Sequence, residues 1–217
     1  MDQHQQEWNE KVAAKIIKNL EKRRMAGSYT VDAVQAKAEI VDMIPHGATV
    51  FRCGSMTAVG MGLWEAIAAL PEVKLIDPYL SGLSPEEGLE LRRQGMTADV
   101  MIASTNAITL DGRLVNLDGM GNRVAAMAFG PKKVILAVGM NKVASDLETA
   151  VSRVKHYAAP VNNIRYGLKN PCVETGLCSD CRAPQRICNM WSTIEGHMIK
   201  DRIHVKLIGE NLSLIHI

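Results

Sequence analysis

Four short apolar runs, each ending in small or polar residues, constrain the fold of this chain more than any other feature. They are ATVFRCG (48–54), ADVMIAS (98–104), KKVILAVG (132–139) and RIHVKLIG (202–209). Runs of this length that are apolar at most positions are typical of strands buried on both faces, as in parallel sheets. A further run, VKLIDP (73–78), predicts a shorter strand that a proline stops.

Helical patterns separate these strands. Apolar residues recur at helical spacing through the predicted N-terminal helices of residues 5–45, and again over residues 57–70. Capping-box patterns at Ser84 and Ser145 begin two more helices, the second reaching about Tyr157, and a short helix is expected over 123–129. This alternation predicts an α/β fold with a mostly parallel sheet and helices on both faces. We expect a single domain over residues 1–211.

One segment departs from this alternation. The run AITLDGRLVNL (107–117) alternates apolar and polar residues on either side of Asp111-Gly112. Such a pair between alternating runs is a strong signal for a β-hairpin. We expect this hairpin to project from one edge or end of the sheet.

Composition limits the classes of partner. The 217 residues are 47% apolar and 22% charged with a net charge of +2, which indicates a globular chain. No basic stripe points to nucleic acid, and no run of about 18 apolar residues points to membrane insertion. The N-terminus lacks a signal-peptide core, so we expect a cytoplasmic protein. The final LSLIHI (212–217) matches one reading frame of a sequencing-library transposon end, and we expect it to be an adapter scar.

Polar, glycine-rich segments follow several of the predicted strands, where open α/β sheets bind ligands. Free N–H groups in the first of them, GSMT, can hold a phosphate or carboxylate, although Ser55 or Thr57 could simply cap a helix. Asn122 could likewise be a helix cap, and Lys142 a solvated lysine. The predicted ligand-binding residues are Gly54, Ser55, Met56, Thr57, Thr105, Asn106, Asn116, Gly119, Gly121, Asn122 and Lys142.

Two residues of the second segment are candidates for catalysis. Arg123 can pair with a carboxylate or phosphate, and Asp118 can act as an acid or base. Although about sixty residues separate them, we expect Gly54–Thr57 and Asn116–Arg123 to line one pocket, because both lie at strand or hairpin ends.

Four of the five cysteines lie in CVETGLCSDCRAPQRIC, at Cys172, Cys178, Cys181 and Cys188. In a reducing compartment such a cluster favours metal binding over disulfides. A zinc ribbon usually has two separated Cys-x-x-Cys pairs, whereas four thiolates in one loop suit a [4Fe–4S] cluster. Structural zinc and free or redox-active thiols remain alternatives. Cys53 is expected in the core.

The cysteines belong to a long insertion, residues 158–200, between the helix ending near Tyr157 and the last strand. Connections of this length in compact domains are usually functional or disordered. The stretch ICNMWSTIEGHMI (187–199) has helical character and would provide an apolar face for docking. We therefore expect the insertion to close over the strand ends as a lid, rather than to pack on the far side as a brace.

Three motifs carry a family resemblance: GSMT (54–57), the long segment ASTNAITLDGRLVNLDGMGNRVAAMAFGPKKVILAVGMNKV (103–143) and CSDCRAPQRIC (178–188). Together they resemble the LUD domain of the lactate-utilisation C proteins, from about residue 8 to 211. The resemblance implies the fold shared by glucosamine-phosphate isomerases, ribose-phosphate isomerases and CoA transferases.

The resemblance also implies a function: an iron–sulfur oxidoreductase component that oxidises a small anionic 2-hydroxy acid such as lactate. An iron–sulfur or flavin electron-transfer subunit would be its partner, and a homo-oligomer is also expected. Two alternatives remain. One is a non-redox isomerase or transferase-like enzyme in which Asp118 is the acid/base, the GSMT loop holds phosphate and the metal is structural. The other is a ligand-binding module pinned by zinc.

Overall fold

The computed structural model describes residues 2–213, so most of the suspected scar lies outside the described residues. The strands are β1 (Ala26–Thr30), β2 (Thr49–Arg52), β3 (Lys74–Ile76), β4 (Val100–Ala103), β5 (Ala107–Thr109), β6 (Leu114–Asp118), β7 (Lys133–Gly139), β8 (Val143–Ala144), β9 (Met190–Ile194) and β10 (Ile203–Ile208). The α-helices are α1 (Gln3–Lys22), α2 (Ala33–Asp42), α3 (Met56–Gly60), α4 (Leu63–Ala68), α5 (Pro85–Gln94), α6 (Asn122–Ala128), α7 (Leu147–Arg153), α8 (Ala159–Arg165) and α9 (Pro171–Thr175). Across residues 2–213, no helix is both long enough and apolar enough to cross a membrane.

The main sheet has six strands in the order β1-β10-β7-β4-β2-β3, and all five pairings are parallel. Strand β7 shows why its sequence is apolar at successive positions. Val134 and Leu136 pack into one hydrophobic core, whereas Ile135 and Ala137 pack into a second core on the opposite face. Helices therefore cover both faces, and the predicted α/β fold with a mostly parallel sheet is confirmed.

The predicted hairpin is present as the antiparallel pair β5–β6. Instead of projecting from an edge of the main sheet, it forms the centre of a second sheet with the order β8-β5-β6-β9. Val115 and Leu117 of β6 pack with Ala150 and Val154 in a third core. Since both β6 faces are covered, this hairpin is a buried scaffold rather than an arm.

Three helix boundaries differ from prediction. The helix expected over 57–70 is divided into α3 and α4 at Gly62, whose φ of +63° suits glycine. The cap of α7 is Asp146, which accepts from Thr149 N at 2.8 Å, rather than Ser145. The chain also stays helical beyond Tyr157, through a π-helical turn (Val154–Ala158) and then α8.

The helical character predicted for ICNMWSTIEGHMI is wrong. Its centre is strand β9, which pairs with β6 so that Trp191 lies opposite Leu117. The edge of β6 offers unpaired backbone groups, and the Trp-Ser-Thr-Ile sequence is rich in residues that suit a strand. Tertiary pairing therefore overrides the local preference, and the insertion becomes anchored to the second sheet.

Candidate functional site: an arginine-rich cavity beside four cysteines

A cavity of about 700 Å³ lies beyond the carboxyl ends of β2 and β3. The two segments predicted to meet do line it together: Gly54, Ser55 and Met56 on one side, and Asp118, Gly119, Asn122 and Arg123 on the other. The insertion supplies a further wall, comprising Arg165, Tyr166, Leu168, Arg186 and Ile187. It therefore covers the strand ends, which is the arrangement expected of a lid.

The wall of this cavity is strongly cationic. Its five arginines are Arg52, Arg92, Arg123, Arg165 and Arg186, and among residues 2–213 only Asp118 adds a carboxylate. Guanidinium groups bind carboxylates and phosphates through paired, charge-assisted hydrogen bonds. We name this space the arginine-rich cavity.

Two arginines near the β2 and β3 ends are held by a tyrosine. Arg52 and Arg92 lie 5.5 and 5.1 Å from the ring centre of Tyr79, as in cation–π contacts. Arg52 also pairs with Asp77 at 2.8 Å. Gly54 allows this packing, because a side chain there would collide with the Tyr79 hydroxyl group.

Asp118 and Arg123 form a buried pair at the edge of the cavity. One carboxylate oxygen of Asp118 accepts from the backbone N–H groups of Arg123 and Val124, both at 3.0 Å, and so satisfies two N–H groups in the first turn of α6. The other oxygen lies 2.7 Å from Arg123 Nη2. Arg123 also donates to Asn116 Oδ1 at 2.7 Å and to Asn106 Oδ1 at 2.6 Å. The catalytic role predicted for both residues stays a prediction.

Several predicted ligand-binding residues lie behind the cavity wall. Thr105, Asn106 and Asn116 are buried, and Thr105 Oγ1 donates to Asn116 Oδ1 at 3.0 Å. These residues hold Arg123 in position. Thr57, Gly121 and Lys142 also lie outside the wall of the cavity. Direct contact with a ligand stays a prediction for all six.

Lys142 is fully buried, so the alternative of a solvated lysine is wrong. Its Nζ donates to Ser104 Oγ at 2.8 Å and to Thr57 Oγ1 at 3.3 Å. Burial, assisted by the cationic side chains of Arg153 and Arg123, holds the pKa of Lys142 well below its usual value.

The helix-cap alternatives have different outcomes. Ser55 does cap α3, since its Oγ accepts from Ala58 N at 3.1 Å. Asn122 is not a cap, because Gly121 occupies that position with a φ of +88°. The Asn122 amide instead approaches Cys53 Sγ at 3.8 Å. Cys53 is in the core as expected, and burial raises its pKa to about 12.

The four clustered cysteines, Cys172, Cys178, Cys181 and Cys188, line one small cavity of about 20 Å³. Burial raises the pKa of Cys172, and each of the other three thiols raises it further. In the described part of the chain, no group of three or more His, Cys, Asp or Glu residues is arranged to hold a metal ion. The space is roughly that of one water molecule, so a four-iron cluster would require the loop to widen.

Arg186 belongs to both cavities. Its Nε donates to the Cys188 carbonyl oxygen at 2.9 Å, and its Nη1 donates to the Cys181 carbonyl oxygen. Asp180, which ion-pairs with Lys155 at 3.5 Å, lies 3.7 Å from Arg186 Nη2. Arg186 therefore belongs to the segment 172–188 that carries the four cysteines, which we name the cysteine loop, and it also forms part of the wall of the arginine-rich cavity.

Ten residues of the cavity wall were not among the predicted site residues, and six of the ten are arginines or tyrosines: Arg52, Tyr79, Arg92, Arg165, Tyr166 and Arg186. Arg52 could have been found, since it ends a predicted strand next to the GSMT turn. The others lie in α5, at the end of α8 or in a connecting loop, where a charged or aromatic residue usually contacts solvent.

Comparison with known proteins supports the family resemblance. Curated protein sequences contain no match to this chain. Among solved structures, a DUF162 family protein from Deinococcus radiodurans is similar with a TM-score of 0.48 and 13% identity, covering 92% of this chain and 97% of that one. Ribose 5-phosphate isomerase from Plasmodium falciparum gives a TM-score of 0.36 at 16% identity, covering 58% and 65%. A family model of the LUD domain matches residues 13–208, which is nearly the whole chain. The chain therefore belongs to the LUD domain family.

Proposed function

We propose that this protein takes part in the oxidation of a small 2-hydroxy acid. The acid would bind in the arginine-rich cavity, and Cys172, Cys178, Cys181 and Cys188 would carry a [4Fe–4S] cluster beside it. The LUD domain family is associated with lactate utilisation. The single observation that carries the proposal is the position of Arg186, which lines the arginine-rich cavity and the cysteine cavity at once.

The side chains of the cavity suit this chemistry. Arginine guanidinium groups would bind and orient the substrate carboxylate. Oxidation of a 2-hydroxy acid to the 2-oxo acid releases two electrons and two protons. Both protons would leave to solvent through the cavity, because N–H donors and the Arg123 guanidinium already occupy both carboxylate oxygens of Asp118. A cluster on the four thiolates would accept the two electrons one at a time and pass each of them to an iron–sulfur or flavin partner subunit.

The experiment is anaerobic purification followed by iron, sulfide and zinc analysis and electron paramagnetic resonance. We expect about four irons and four sulfides per chain. Cys178→Ser should lower the iron content, whereas the control Cys53→Ala, which changes a cysteine outside the loop, should not. One zinc without iron would contradict the proposal and favour the zinc-pinned binding module.

The non-redox enzyme is the second candidate. The observation that favours it is that Asp118 and the Gly54–Met56 turn face the same cavity, as an acid/base and an anion-binding loop would. Against it, both carboxylate oxygens of Asp118 already have close N–H donors or a close guanidinium. If the Cys178→Ser variant keeps the turnover rate and the ligand affinity of the unmodified protein, the metal is structural, and this candidate is supported.

A further inference from the structure

We infer that the ligand of the arginine-rich cavity carries two separate anionic groups. A 2-hydroxy acid with a second carboxylate or a phosphate fits this description, and lactate does not. The inference rests on the proposed function for the place where the substrate binds, and it narrows the class of that substrate.

Acidic side chains offset only part of the positive charge around the cavity. Two of its five arginines are already neutralised by acidic side chains. Arg52 pairs with Asp77 at 2.8 Å, and Arg123 pairs with Asp118 at 2.7 Å. Both carboxylates are buried, so these pairs are weakly screened by solvent.

Of the remaining three arginines, two lack an acidic partner in the described part of the chain. Within residues 2–213, neither Arg92 nor Arg165 forms an ion pair with a carboxylate. Neutral groups hold them instead, since Arg92 Nη1 donates to Gly88 O at 2.7 Å and Arg165 Nε donates to Asn162 Oδ1 at 2.8 Å.

Arg186 is only weakly neutralised. Its acidic neighbour Asp180 is 3.7 Å away, and the Asp180 side chain is 67% exposed. A pair at that distance and exposure contributes little, because water screens it. The positive charges of three guanidinium groups around the cavity are therefore largely unneutralised by acidic side chains.

These three arginines line one cavity because of the fold, since they are distant in sequence. Arg92 lies on α5, Arg165 ends α8, and Arg186 lies in the cysteine loop. Like charges gathered around one cavity repel each other, and an anionic ligand offsets that cost. One carboxylate carries a single negative charge, which one bidentate arginine neutralises. Three arginines therefore fit a ligand with more than one anionic group.

The size and the apolar part of the wall agree with a larger ligand. The volume of about 700 Å³ is within the range of pockets that enclose drug-sized molecules. Its apolar side chains, Met56, Val59, Met120, Leu168 and Ile187, would contact the carbon skeleton between the two anionic groups.

The test is isothermal titration calorimetry with a matched series: lactate, malate and 3-phosphoglycerate. All three are 2-hydroxy acids, and they differ at the third carbon, which carries hydrogen, carboxylate or phosphate. We expect malate or 3-phosphoglycerate to bind at least about tenfold more tightly than lactate, the effect of one charge-assisted contact. The tighter of the two identifies the second group. Lactate binding as tightly as both, or no binding by any of the three, would overturn the inference.

Variants link the preference to the arginines. Arg92→Gln and Arg165→Gln should each weaken binding of the preferred dianion by about tenfold and that of lactate by less. Arg93→Gln is the matched control, because Arg93 is the next residue of α5, is 68% exposed and lies outside the cavity. Circular dichroism would verify that each variant is folded. Equal losses for lactate and dianion in both variants would contradict the inference.

The outcomes separate this inference from the proposed function. Titration of protein as purified and after metal removal measures binding without requiring turnover. Absence of iron with tighter dianion binding would end the redox proposal and leave the inference standing. A bound cluster with equal affinity for lactate and the dianions would do the reverse.

Discussion

The Nε atom of Arg186 donates a hydrogen bond to the carbonyl oxygen of Cys188 at 2.9 Å. Its guanidinium group also donates to the Cys181 carbonyl oxygen and lines the arginine-rich cavity. The position of one cavity cation is therefore set by the backbone that carries two of the cysteines.

The variant Arg186→Lys should weaken malate binding by about tenfold, as measured by calorimetry. Lysine keeps the positive charge, but it lacks the planar guanidinium that donates to two carbonyl oxygens and faces the cavity at the same time. The control is Arg182→Lys, because Arg182 is an exposed arginine of the same loop that lines neither cavity. An affinity equal to that of the unmodified protein would show that charge alone, and not position, matters at residue 186.

The variant Lys142→Met should flatten the pH dependence of stability on the alkaline side. Burial lowers the pKa of Lys142 in the folded chain. At pH values between that lowered pKa and the unfolded value of about 10, the unfolded chain binds a proton that the folded chain lacks. Stability must rise with pH across that window, by up to about 1.4 kcal/mol per pH unit. Urea unfolding between roughly pH 8 and 10 would measure both slopes. Identical slopes would mean that Lys142 is charged in the folded protein.

The variant His204→Gln should reduce the loss of stability in weak acid. Burial, together with Lys206 and Lys133, lowers the pKa of His204 to about 4, and its Nε2 lies 2.9 Å from Ser28 Oγ. The unfolded chain binds the extra proton below pH 6.5, so stability falls as the pH drops from about 6.5 to 4. Glutamine removes this titration and can keep a hydrogen bond to Ser28.

Urea unfolding at several pH values would check the His204 prediction. The control is a second histidine variant, His46→Gln, since the His46 side chain is 75% exposed. A variant with the same acid sensitivity as the unmodified protein would show that other groups cause it.

The variant Gly95→Ala should destabilise the protein by about 1–3 kcal/mol. A methyl group at this buried position would overlap the ring of Phe51, which is also fully buried. Gly60→Ala is the control, because nothing lies within 4 Å of a methyl group there. The free energy of unfolding in urea would measure both effects, and equal values for the two variants would contradict the predicted collision.

Sequence alone determined the elements whose signals are local. Five of the six main-sheet strands were readable because burial on both faces requires apolar residues at successive positions, as in β7. The capping box at Ser84 was readable because its signal is also local. Its two hydrogen bonds, Glu87 N to Ser84 Oγ at 3.2 Å and Ser84 N to Glu87 Oε2 at 2.8 Å, join residues three apart. The four cysteines were also recognised as a group because they are close in sequence.

Tertiary structure decided the elements that depend on distant partners. Strand β1, with the sequence AGSYT, has no apolar run and was not predicted, because its strand conformation comes from pairing with β10 near the other end of the chain. Strand β9 likewise takes its conformation from the edge of β6. No local pattern encodes such pairings.

The candidate site divides in the same way. The Gly54–Thr57 turn and the Asn116–Arg123 loop were expected to meet, because each follows a strand or hairpin and strand ends share one edge of a sheet. The convergence of Arg92, Arg165 and Arg186, and the burial of Lys142, had no local signal. They depend on where α5, α8 and the cysteine loop pack, and long-range contacts set that packing. Short-range hydrogen bonding and periodicity can be read along a sequence, whereas the charge and solvent exposure of a cavity exist only once distant segments meet.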